Sequence, residues 1–407
     1  MNDGPKSAPF AWDQRTADAC GFRGVEAVIL PRLETRVLPV ALPGEQVVLT
    51  FGNPLPQELS LLNRIGFGCR GEDLVWVSPD LNGTPPPLPQ GTIVNPFTSA
   101  SLLSHTLAEY TPQSLFRGCA RTIAVYVNRK KTLQSWGDDS IRVPEGCFVS
   151  TLQEIRIAIE DLLTRHDVVV YKPDFSASGI GQVHFTRASD LGNEALDRLM
   201  RPGVVQAFVE KTCDVSLQFE ISTNFGHAIG NGPPVTTFLH ELVGQFVGPD
   251  GDYQGGFFPT RLGPAFEAHI RRMGQCIVER LCEAGYRGPG SIDFMANEGT
   301  GEIWTTDVNA RVIAPWYPLQ MIRRRHPHHR ALPFVMRSFQ IPVGMSVSAL
   351  EELFRGHLFS WQSMEGFVPF AFLPDLGFCY GAVFSEDPER CRALDRVIEE
   401  TKQPLRL

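Results

Sequence analysis

The sequence predicts a mixed α/β (α+β) protein, and three patterns along its 407 residues support this. In the first third of the chain, strand-like and helix-like segments alternate, which is typical of a parallel sheet covered by helices. From Val235 to Phe258, polar and apolar residues alternate in the manner of antiparallel strands. The segment from Gly288 to Ile313 contains two β-favouring runs around a turn, which predicts a β-hairpin.

Composition places the chain among folded proteins and narrows the classes of function. Hydrophobic residues make up 43% and charged residues 20%, and no apolar run is long enough to span a bilayer. The first residues lack the basic and apolar segments of a signal peptide, so we expect a cytoplasmic protein with no membrane partner. The net charge of −8 argues against nucleic acid as a partner. Nine cysteines without a C-x-x-C pair indicate reduced thiols rather than a zinc site.

The region up to residue 125 is predicted to be a Rossmann-like α/β domain. Its patterns give, in order, a strand at Gln46–Gly52, a helix at Gln57–Ile65, a strand at Asp73–Ser78, a helix at Ser99–Tyr110 and a strand at Arg121–Val127. Strands that alternate with helices predict parallel pairing. The G-N-P-L-P stretch after the first strand is not a G-x-G-x-x-G fingerprint, so nothing here indicates dinucleotide binding.

A lysine at the end of an apolar strand marks the next candidate site. A capping box beginning at Ser150 predicts a helix that ends near His166, and the strand Asp167–Tyr171 leads into Lys172. Such a lysine is costly to bury unless an anion pairs with it. The small residues that follow could close backbone N–H groups over phosphates; they are Ser176, Ser178, Gly179 and Gly181. The alternative is a plain hairpin with a flexible tip.

The strand predicted at Val204–Val209 ends in a polar linker. An adenine pocket needs apolar walls, an exposed backbone N–H and C=O at a strand end, and a carboxylate for the ribose hydroxyls. This stretch offers all three, through Gln206, Phe208, Val209 and Asp214. It could equally be an interstrand connection without a ligand.

The predicted hairpin carries the most specific candidate site. The midpoint of positions 293 and 307 is 300, inside the turn Asn297–Gly301, so Asp293 and Asp307 should lie opposite one another on neighbouring strands. Asn309 and Arg311 should project from the same face as Asp307, because side chains alternate along a strand. Oxygen ligands of this type suit Mg²⁺, and Arg311 could grip a phosphate or carboxylate at two points. The alternative is an exposed hairpin in which Arg311 pairs with Asp307.

The remaining sequence predicts a long helix and a final α/β unit over residues 331–407. The helix opens at Pro264 and closes near Gly285. The basic run Arg323–Arg325 is either a solvated loop or a wall of a substrate site. The last unit comprises a helix at Ser348–Phe354, strands at Gly366–Phe372 and Phe378–Phe384, and a helix at Pro388–Glu400.

Taken in order, these features resemble the ATP-grasp superfamily of carboxylate–amine ligases. The match covers about residues 125–320 and is most specific at Asp293 and at D-V-N-A-R over 307–311. The family usually has Glu where Asp307 stands, and the shorter residue still supplies a carboxylate. The resemblance implies a pre-ATP-grasp domain at 1–125, an ATP-grasp domain at 126–330 with a hinge near 206–214, and the extra C-terminal unit at 331–407.

The resemblance also implies ATP and Mg²⁺ as cofactors and a role for each candidate residue. The implied ATP-binding residues are Lys130, Lys172, Ser176, Ser178, Gly179, Gly181, Gln206, Phe208, Val209 and Asp214. The implied Mg²⁺ ligands are Asp293, Asp307 and Asn309. Arg311 and Lys172 are the implied catalytic residues, because phosphoryl transfer asks mainly for positioning and charge neutralisation. Lys131 adjoins Lys130 and is the alternative first phosphate lysine.

The implied activity is an ATP-dependent ligation. A substrate carboxylate takes the γ-phosphate to give an acyl phosphate and ADP, and an amine then displaces phosphate to form an amide. The layout of the whole chain is most similar to the peptide ligases of pheganomycin biosynthesis, which implies a guanidino-bearing amino-acid donor, a peptide amine acceptor and a role in antibiotic biosynthesis. A homodimer is compatible with this layout. Two alternatives stay open: an ATP-grasp ligase using a small amine, and a catalytically silent ATP-binding module acting as a regulator or partner.

Overall fold

The fold is taken from a computed structural model. It describes residues 7–9, 38–42, 45, 47–49, 56–69, 74–76, 93–95, 118–174, 181–187, 199, 202–223, 235–248, 251, 253–326 and 331–401. The helix predicted at Ser99–Tyr110 lies outside these residues. The eight cysteines within them are all free thiols. None of the helices in these ranges is long and apolar enough to cross a membrane.

Strands and helices are both abundant in the described residues, which confirms the predicted mixed α/β class. The strands are β1 (Ser7–Pro9), β2 (Val47–Leu49), β3 (Leu74–Trp76), β4 (Ile93–Asn95), β5 (Gly146–Val149), β6 (Val169–Pro173), β7 (Val183–Phe185), β8 (Gly203–Ala207), β9 (Cys213–Thr223), β10 (Val235–Val247), β11 (Tyr253–Phe258), β12 (Gly288–Asn297), β13 (Glu302–Asn309), β14 (Phe334–Gln340), β15 (Gly366–Leu373) and β16 (Phe378–Phe384). The helices are α1 (Pro56–Arg64), α2 (Arg121–Val127), α3 (Lys130–Trp136), α4 (Leu152–Leu162), α5 (Pro264–Glu283), α6 (Trp316–Arg325), α7 (Val347–Leu353) and α8 (Pro388–Thr401), with a short 3₁₀ helix at Pro374–Leu376.

Two large antiparallel sheets organise the part of the chain that carries the candidate site. One has four strands in the order β5-β8-β6-β7, and the other has eight in the order β13-β12-β9-β10-β11-β14-β16-β15. Near the N-terminus, β2 pairs with β3 in parallel as predicted, and β1 and β4, which were not predicted, also pair in parallel. The strands of the predicted C-terminal unit continue the eight-stranded sheet, because β14 pairs with β11. The division into three domains stays a prediction.

Helix α5 covers one face of the eight-stranded sheet. Its buried residues recur at helical spacing, as in Ile270, Met273 and Ile277, and they pack in one cluster with Leu217 and Ile292 of the sheet. Because side chains alternate along each strand, the residues between these apolar ones point to the opposite face. That opposite face, which we call the polar face, carries the candidate site.

One predicted strand is wrong: residues Arg121–Val127 form helix α2. The β-branched residues in this run favour a strand locally. In the folded chain Ala124 and Val127 are buried in the same cluster as α5, so tertiary packing on a helical spacing overrides the local preference. A smaller correction concerns α4, whose capping box begins at Thr151 with Glu154, one residue later than predicted.

Gly290 lets β12 lie close to its neighbours, and this gives a test of the hairpin. A Cβ at this position would lie 2.3 Å from Phe219 Cζ and 2.7 Å from the backbone oxygen of Asn309. We expect Gly290→Ala to lower the free energy of unfolding by about 1–3 kcal/mol, measured by urea denaturation. Gly263→Ala is the matched control, because no atom lies within 4 Å of its added Cβ. Equal stability of the two variants would contradict this packing.

Candidate active site

The two hairpin aspartates face each other as predicted. Asp293 of β12 and Asp307 of β13 are cross-strand partners, and the register shifts by one residue just beyond them. Ser216 of β9 pairs with Asp293 on the other side. These residues lie on the polar face, because the neighbouring Leu217 and Ile292 pack against α5.

Asp293 is half-buried and held by three side chains. Ser216 Oγ donates to its Oδ1 at 2.6 Å and Gln245 Nε2 donates to the same oxygen at 3.3 Å. Asn309 Nδ2 donates to Oδ2 at 2.9 Å. Burial and the nearby Asp307 carboxylate raise the pKa of Asp293 to about 6, in spite of these hydrogen bonds. The two facing carboxylates therefore repel each other.

Two buried lysines approach the aspartates from the four-stranded-sheet side. Lys130, at the start of α3, has 6% of its side chain exposed, and its Nζ lies 2.9 Å from Asp307 Oδ2. Lys172, in β6, is equally buried. Burial and the neighbouring Lys130 lower the pKa of Lys172 to about 8, while Asp307 opposes that shift. The site thus holds two lysines and two aspartates at the meeting of the two sheets.

Asp174 connects the segment that carries Lys130 to the strand that carries Lys172, and the sequence analysis did not identify it. Its backbone oxygen accepts from the backbone N–H of Lys130 at 3.2 Å, and its Oδ1 accepts from the backbone N–H of Lys131 at 2.9 Å. Arg129 pairs with the same carboxylate at 2.6 Å. Asp174 therefore fixes the first turn of α3 against the end of the strand that carries Lys172. The Y-K-P-D order was the only signal in the sequence.

The structure distinguishes the two adjacent lysines. Lys130 is buried against Asp307, whereas Lys131 is exposed and its Nζ lies 4.4 Å from the centroid of the Phe148 ring. Only Lys130 of this pair therefore reaches the aspartates. A phosphate contact by Lys130 stays a prediction.

The lowered pKa of Lys172 leads to a pH prediction. Below about pH 8 this lysine is charged and can attract an anion, and above that pH it becomes neutral. We expect the affinity for MgATP to fall roughly tenfold between pH 7 and pH 9 if Lys172 contacts a phosphate. Isothermal titration calorimetry of the wild type and of Lys172→Arg, which stays charged, provides the measurement. An equally steep fall in the arginine variant would contradict the assignment.

Arg311 is anchored to the hairpin but keeps one free donor. Its Nη2 donates to Asn309 Oδ1 at 3.0 Å and its Nη1 donates to the backbone oxygen of Val312 at 3.5 Å. Its Nε is buried and finds no hydrogen-bond partner among the residues that the structure describes. The predicted alternative, a pair between Arg311 and Asp307, is not formed, because Asp307 pairs with Lys130 instead.

The basic run at the end of α6 has internal partners, so it is not a free surface. Arg323 contacts His240 Nδ1 at 2.9 Å and Glu241 at 3.4 Å. Arg324 pairs with Glu45. Arg325 donates to several backbone oxygens, with the shortest contact of 2.9 Å to Ala41. The predicted solvated loop is wrong, because Arg324 and Arg325 end helix α6 and tie it to the N-terminal region, and a role as a wall of a substrate site stays a prediction.

No family model and no curated protein sequence matches the chain at a significant level. Solved structures, in contrast, do match the fold of the chain. N5-carboxyaminoimidazole ribonucleotide synthetase in complex with ADP has a TM-score of 0.61 at 10% identity, over 100% of this chain and 99% of that one. The biotin carboxylase domain of Hydrogenobacter thermophilus 2-oxoglutarate carboxylase, in complex with MgADP and bicarbonate, has a TM-score of 0.57 at 13% identity, over 98% and 90%. D-alanyl-alanine synthetase A of Vibrio cholerae has a TM-score of 0.51 at 13% identity, over 80% and 94%.

The chain has the ATP-grasp fold. At these identities the likeness concerns the fold alone. The predicted ATP-grasp core and the region before it are both covered, because the first alignment spans the whole chain.

The structure describes the residues that were predicted to contact adenine. Gln206 is buried in β8, where its Nε2 donates to Gln134 Oε1 at 2.6 Å and its own Oε1 has no hydrogen-bond partner. Phe208 is 39% exposed beside the ring of His184, at a centroid distance of 5.4 Å. Val209 follows in the half-buried linker. Their contact with adenine stays a prediction, and Gln134 is a further polar group that the sequence reasoning missed.

Asp214 and the small-residue loop are the remaining residues that were predicted to bind ATP. Asp214 pairs with Lys211 at 2.7 Å and lines a cleft of about 490 Å³ that also contains Gln245. Burial raises the pKa of Asp214 although Lys211 opposes the shift. Gly181 adopts a φ of +74°, which favours glycine. The other predicted loop residues lie outside the described part of the chain; they are Ser176, Ser178 and Gly179.

The donor set between the hairpin strands fits a hard divalent cation. Two carboxylates face each other, and Asn309 adds an amide oxygen that keeps one lone pair after its bond to Arg311. Burial and the facing Asp307 carboxylate both raise the pKa of Asp293, and a cation bound between the two carboxylates would oppose that shift. No group of three or more His, Cys, Asp or Glu in the described ranges could hold a metal. A metal here would therefore need further oxygen ligands from phosphate and water.

Proposed function

We propose that the chain is an ATP-dependent carboxylate–amine ligase that requires Mg²⁺. One observation carries the proposal: Asp293 and Asp307 face each other on paired strands, and two buried lysines approach them, Lys130 from helix α3 and Lys172 from the four-stranded sheet. Buried lysines call for an anion, and paired carboxylates call for a cation. A triphosphate with a divalent metal satisfies both.

Each residue of the site has a distinct task in this proposal. Asp293 and Asp307, with the Asn309 amide, would hold the metal, which supplies charge neutralisation and orientation of the phosphates when it is bound. Lys130 and Lys172 would bind the triphosphate. Arg311 would use its free Nε–H and its guanidinium charge to orient the substrate carboxylate and to stabilise the phosphoryl group as it moves.

The reaction that this arrangement favours needs no nucleophile from the protein. An oxygen of the substrate carboxylate attacks the γ-phosphorus of ATP, and the bond to the bridging oxygen breaks so that ADP leaves. The acyl phosphate then receives an amine at its carbonyl carbon, and inorganic phosphate leaves as the amide forms. The chain's own contribution is positioning and charge.

For the substrates, we propose an amino acid that bears a guanidino group as the carboxylate donor and the N-terminal amine of a peptide as the acceptor, in the biosynthesis of a peptide antibiotic. The similarity of the chain's layout to pheganomycin peptide ligases supports this choice. One structural neighbour is a D-alanyl-alanine synthetase, whose name describes the joining of two amino acids. Another neighbour forms a domain dimer, and a homodimer of this chain stays a prediction.

Product analysis tests the proposed function. The purified chain is incubated with MgATP and with pools of carboxylates and amines, together or separately, and nucleotides and phosphate are quantified. We expect ADP and phosphate when both substrates are present. Release of AMP and pyrophosphate would instead identify adenylation, and binding of MgATP without turnover in any pool would favour the silent regulatory module. An amide formed only with small amines would favour the second ligase class.

A further inference from the structure

A row of buried polar side chains lies next to the aspartate pair on the polar face. Gln218 of β9, Ser291 of β12 and Asn309 of β13 are cross-strand neighbours, one step along the strands from Asp293 and Asp307. Gln218 is 1% exposed and Ser291 is 0% exposed, yet Gln218 Oε1 and Ser291 Oγ have no hydrogen-bond partner in the described part of the chain. Buried polar atoms are costly when they are left unpaired, so these two point to a ligand.

A hydrogen-bonded chain sets the direction in which Gln218 presents its amide. Ser216 Oγ donates its only proton to Asp293, because a carboxylate can only accept. Ser216 must therefore accept from Gln218, whose Nε2 lies 3.1 Å away. The amide oxygen of Gln218 is then the group left open, and it can receive an N–H donor. Asp293 thus orients Gln218 through Ser216.

Glu220 adds a carboxylate to the same surface. It pairs in register with Pro289, two residues before Ser291, on the strand that also carries Gln218. His240 Nε2 lies 3.8 Å from its carboxylate, which is too long for a hydrogen bond. Arg323 donates to His240 Nδ1, so the imidazole proton lies on Nε2 and faces Glu220. His240 therefore cannot accept a proton at Nε2 from a substrate.

We infer that Gln218 Oε1 and Glu220 bind a positively charged N–H group, an ammonium or a guanidinium, on the carboxylate substrate whose acid group lies beside Arg311. This inference rests on the proposed function. The free Nε of Arg311 supplies the opposite charge at the other edge of the row. Strands β9 and β13 are separated by β12, so the backbones that carry Glu220 and Arg311 are about 10 Å apart. An extended amino acid with a cationic side chain is of comparable length.

The charge of Glu220 decides which substrate it holds. A neighbouring carboxylate favours the protonated form of an amine, whereas an amine that attacks an acyl phosphate must first lose its proton. A cation held here is therefore a recognition group that does not react. Glu220 and Gln218 are accordingly specificity-determining residues for the acid substrate.

The test measures acid-dependent ADP release with hydroxylamine in place of the acceptor. Hydroxylamine nitrogen attacks the activated carboxyl carbon, phosphate leaves, and a hydroxamate forms, so the natural acceptor need not be known. The probes are two matched pairs of acids, L-arginine with L-citrulline and L-alanine with L-lactate, in which only one member carries the cationic group under test. We expect the cationic member of at least one pair to give at least tenfold faster release.

Two variants connect that preference to the named residues. Within the pair that shows the preference, the rate of ADP release with the cationic acid is divided by the rate with its matched acid. Glu220→Gln and Gln218→Leu should each reduce this ratio roughly tenfold, with KM for MgATP unchanged. Glu160→Gln, at an exposed position of α4, should leave the ratio as it is. Equal rates within both pairs, or a preference that persists in Glu220→Gln, would overturn this inference and leave carboxylate activation standing. Absence of ADP release with every acid would overturn the proposed function and this inference with it.

Discussion

Asp307→Asn is expected to lower turnover by on the order of 10³-fold while the chain stays folded. The change keeps the shape of the side chain but removes one of the two carboxylates that face each other across the hairpin. Loss of a metal ligand removes several kcal/mol of charge stabilisation from phosphoryl transfer. ADP release at saturating MgATP and substrate is the measurement.

The same variant should also be less stable, which the hairpin alone does not predict. From the sequence, removal of Asp307 only relieves repulsion with Asp293. In the structure Asp307 pairs with buried Lys130, and its charge also acts on Lys172. Its loss leaves two buried lysines close together, so we expect the free energy of unfolding to fall on the order of 2 kcal/mol. Thermal melting followed by circular dichroism would show this.

Two controls separate the metal assignment from a loss of folding. Asp307→Glu restores the residue that the ATP-grasp family usually has, and it should retain turnover within about tenfold because the carboxylate remains. Asp139→Asn changes an exposed aspartate and should have no effect. Turnover in Asp307→Asn equal to the wild type would dismiss the metal assignment, as would equal losses in the Asn and Glu variants.

Arg311→Lys is expected to lower turnover roughly 10²-fold with little change in the affinity for MgATP. The guanidinium donates to Asn309 and to the Val312 backbone and still keeps a buried Nε–H for a substrate. Lysine retains the charge but cannot make three contacts in a planar arrangement. The loss should therefore appear in the step that uses the substrate carboxylate.

Kinetics with the acid substrate varied would check the role of Arg311. The control is Arg142→Lys, because Arg142 is an exposed arginine paired with Glu302 at 2.7 Å, and it should retain turnover within about twofold. A weaker affinity for MgATP in Arg311→Lys, with turnover unchanged, would place Arg311 at the nucleotide and contradict its role beside the acid substrate.

The hairpin could be predicted because its information is local. The turn residues and the alternation on either side fix which positions face each other, and Asp293 and Asp307 are separated by one short turn. Helix α2 could not be predicted in the same way. Its β-branched residues favour a strand, and only the burial of Ala124 and Val127 beside α5 makes the helix more stable.

The partners of the aspartates could not be read from the chain. Lys130 lies 177 residues from Asp307, and Ser216 lies 77 residues from Asp293. Nothing in the local pattern distinguishes Lys130 from Lys131, because the difference is whether the side chain meets Asp307 or Phe148 in the folded state. The Arg323–Arg325 run likewise looks like a free basic surface until its partners are known.

The sequence by itself determined the two strands of the hairpin, its turn and the facing of its two carboxylates, because short-range pairing depends only on alternation and turn chemistry. The tertiary structure decided how those charges are compensated and which polar atoms stay open. Those outcomes depend on how the four-stranded and eight-stranded sheets meet, which brings Lys130 and Lys172 to the aspartates and leaves Gln218 Oε1 and Ser291 Oγ without a hydrogen-bond partner among the described residues.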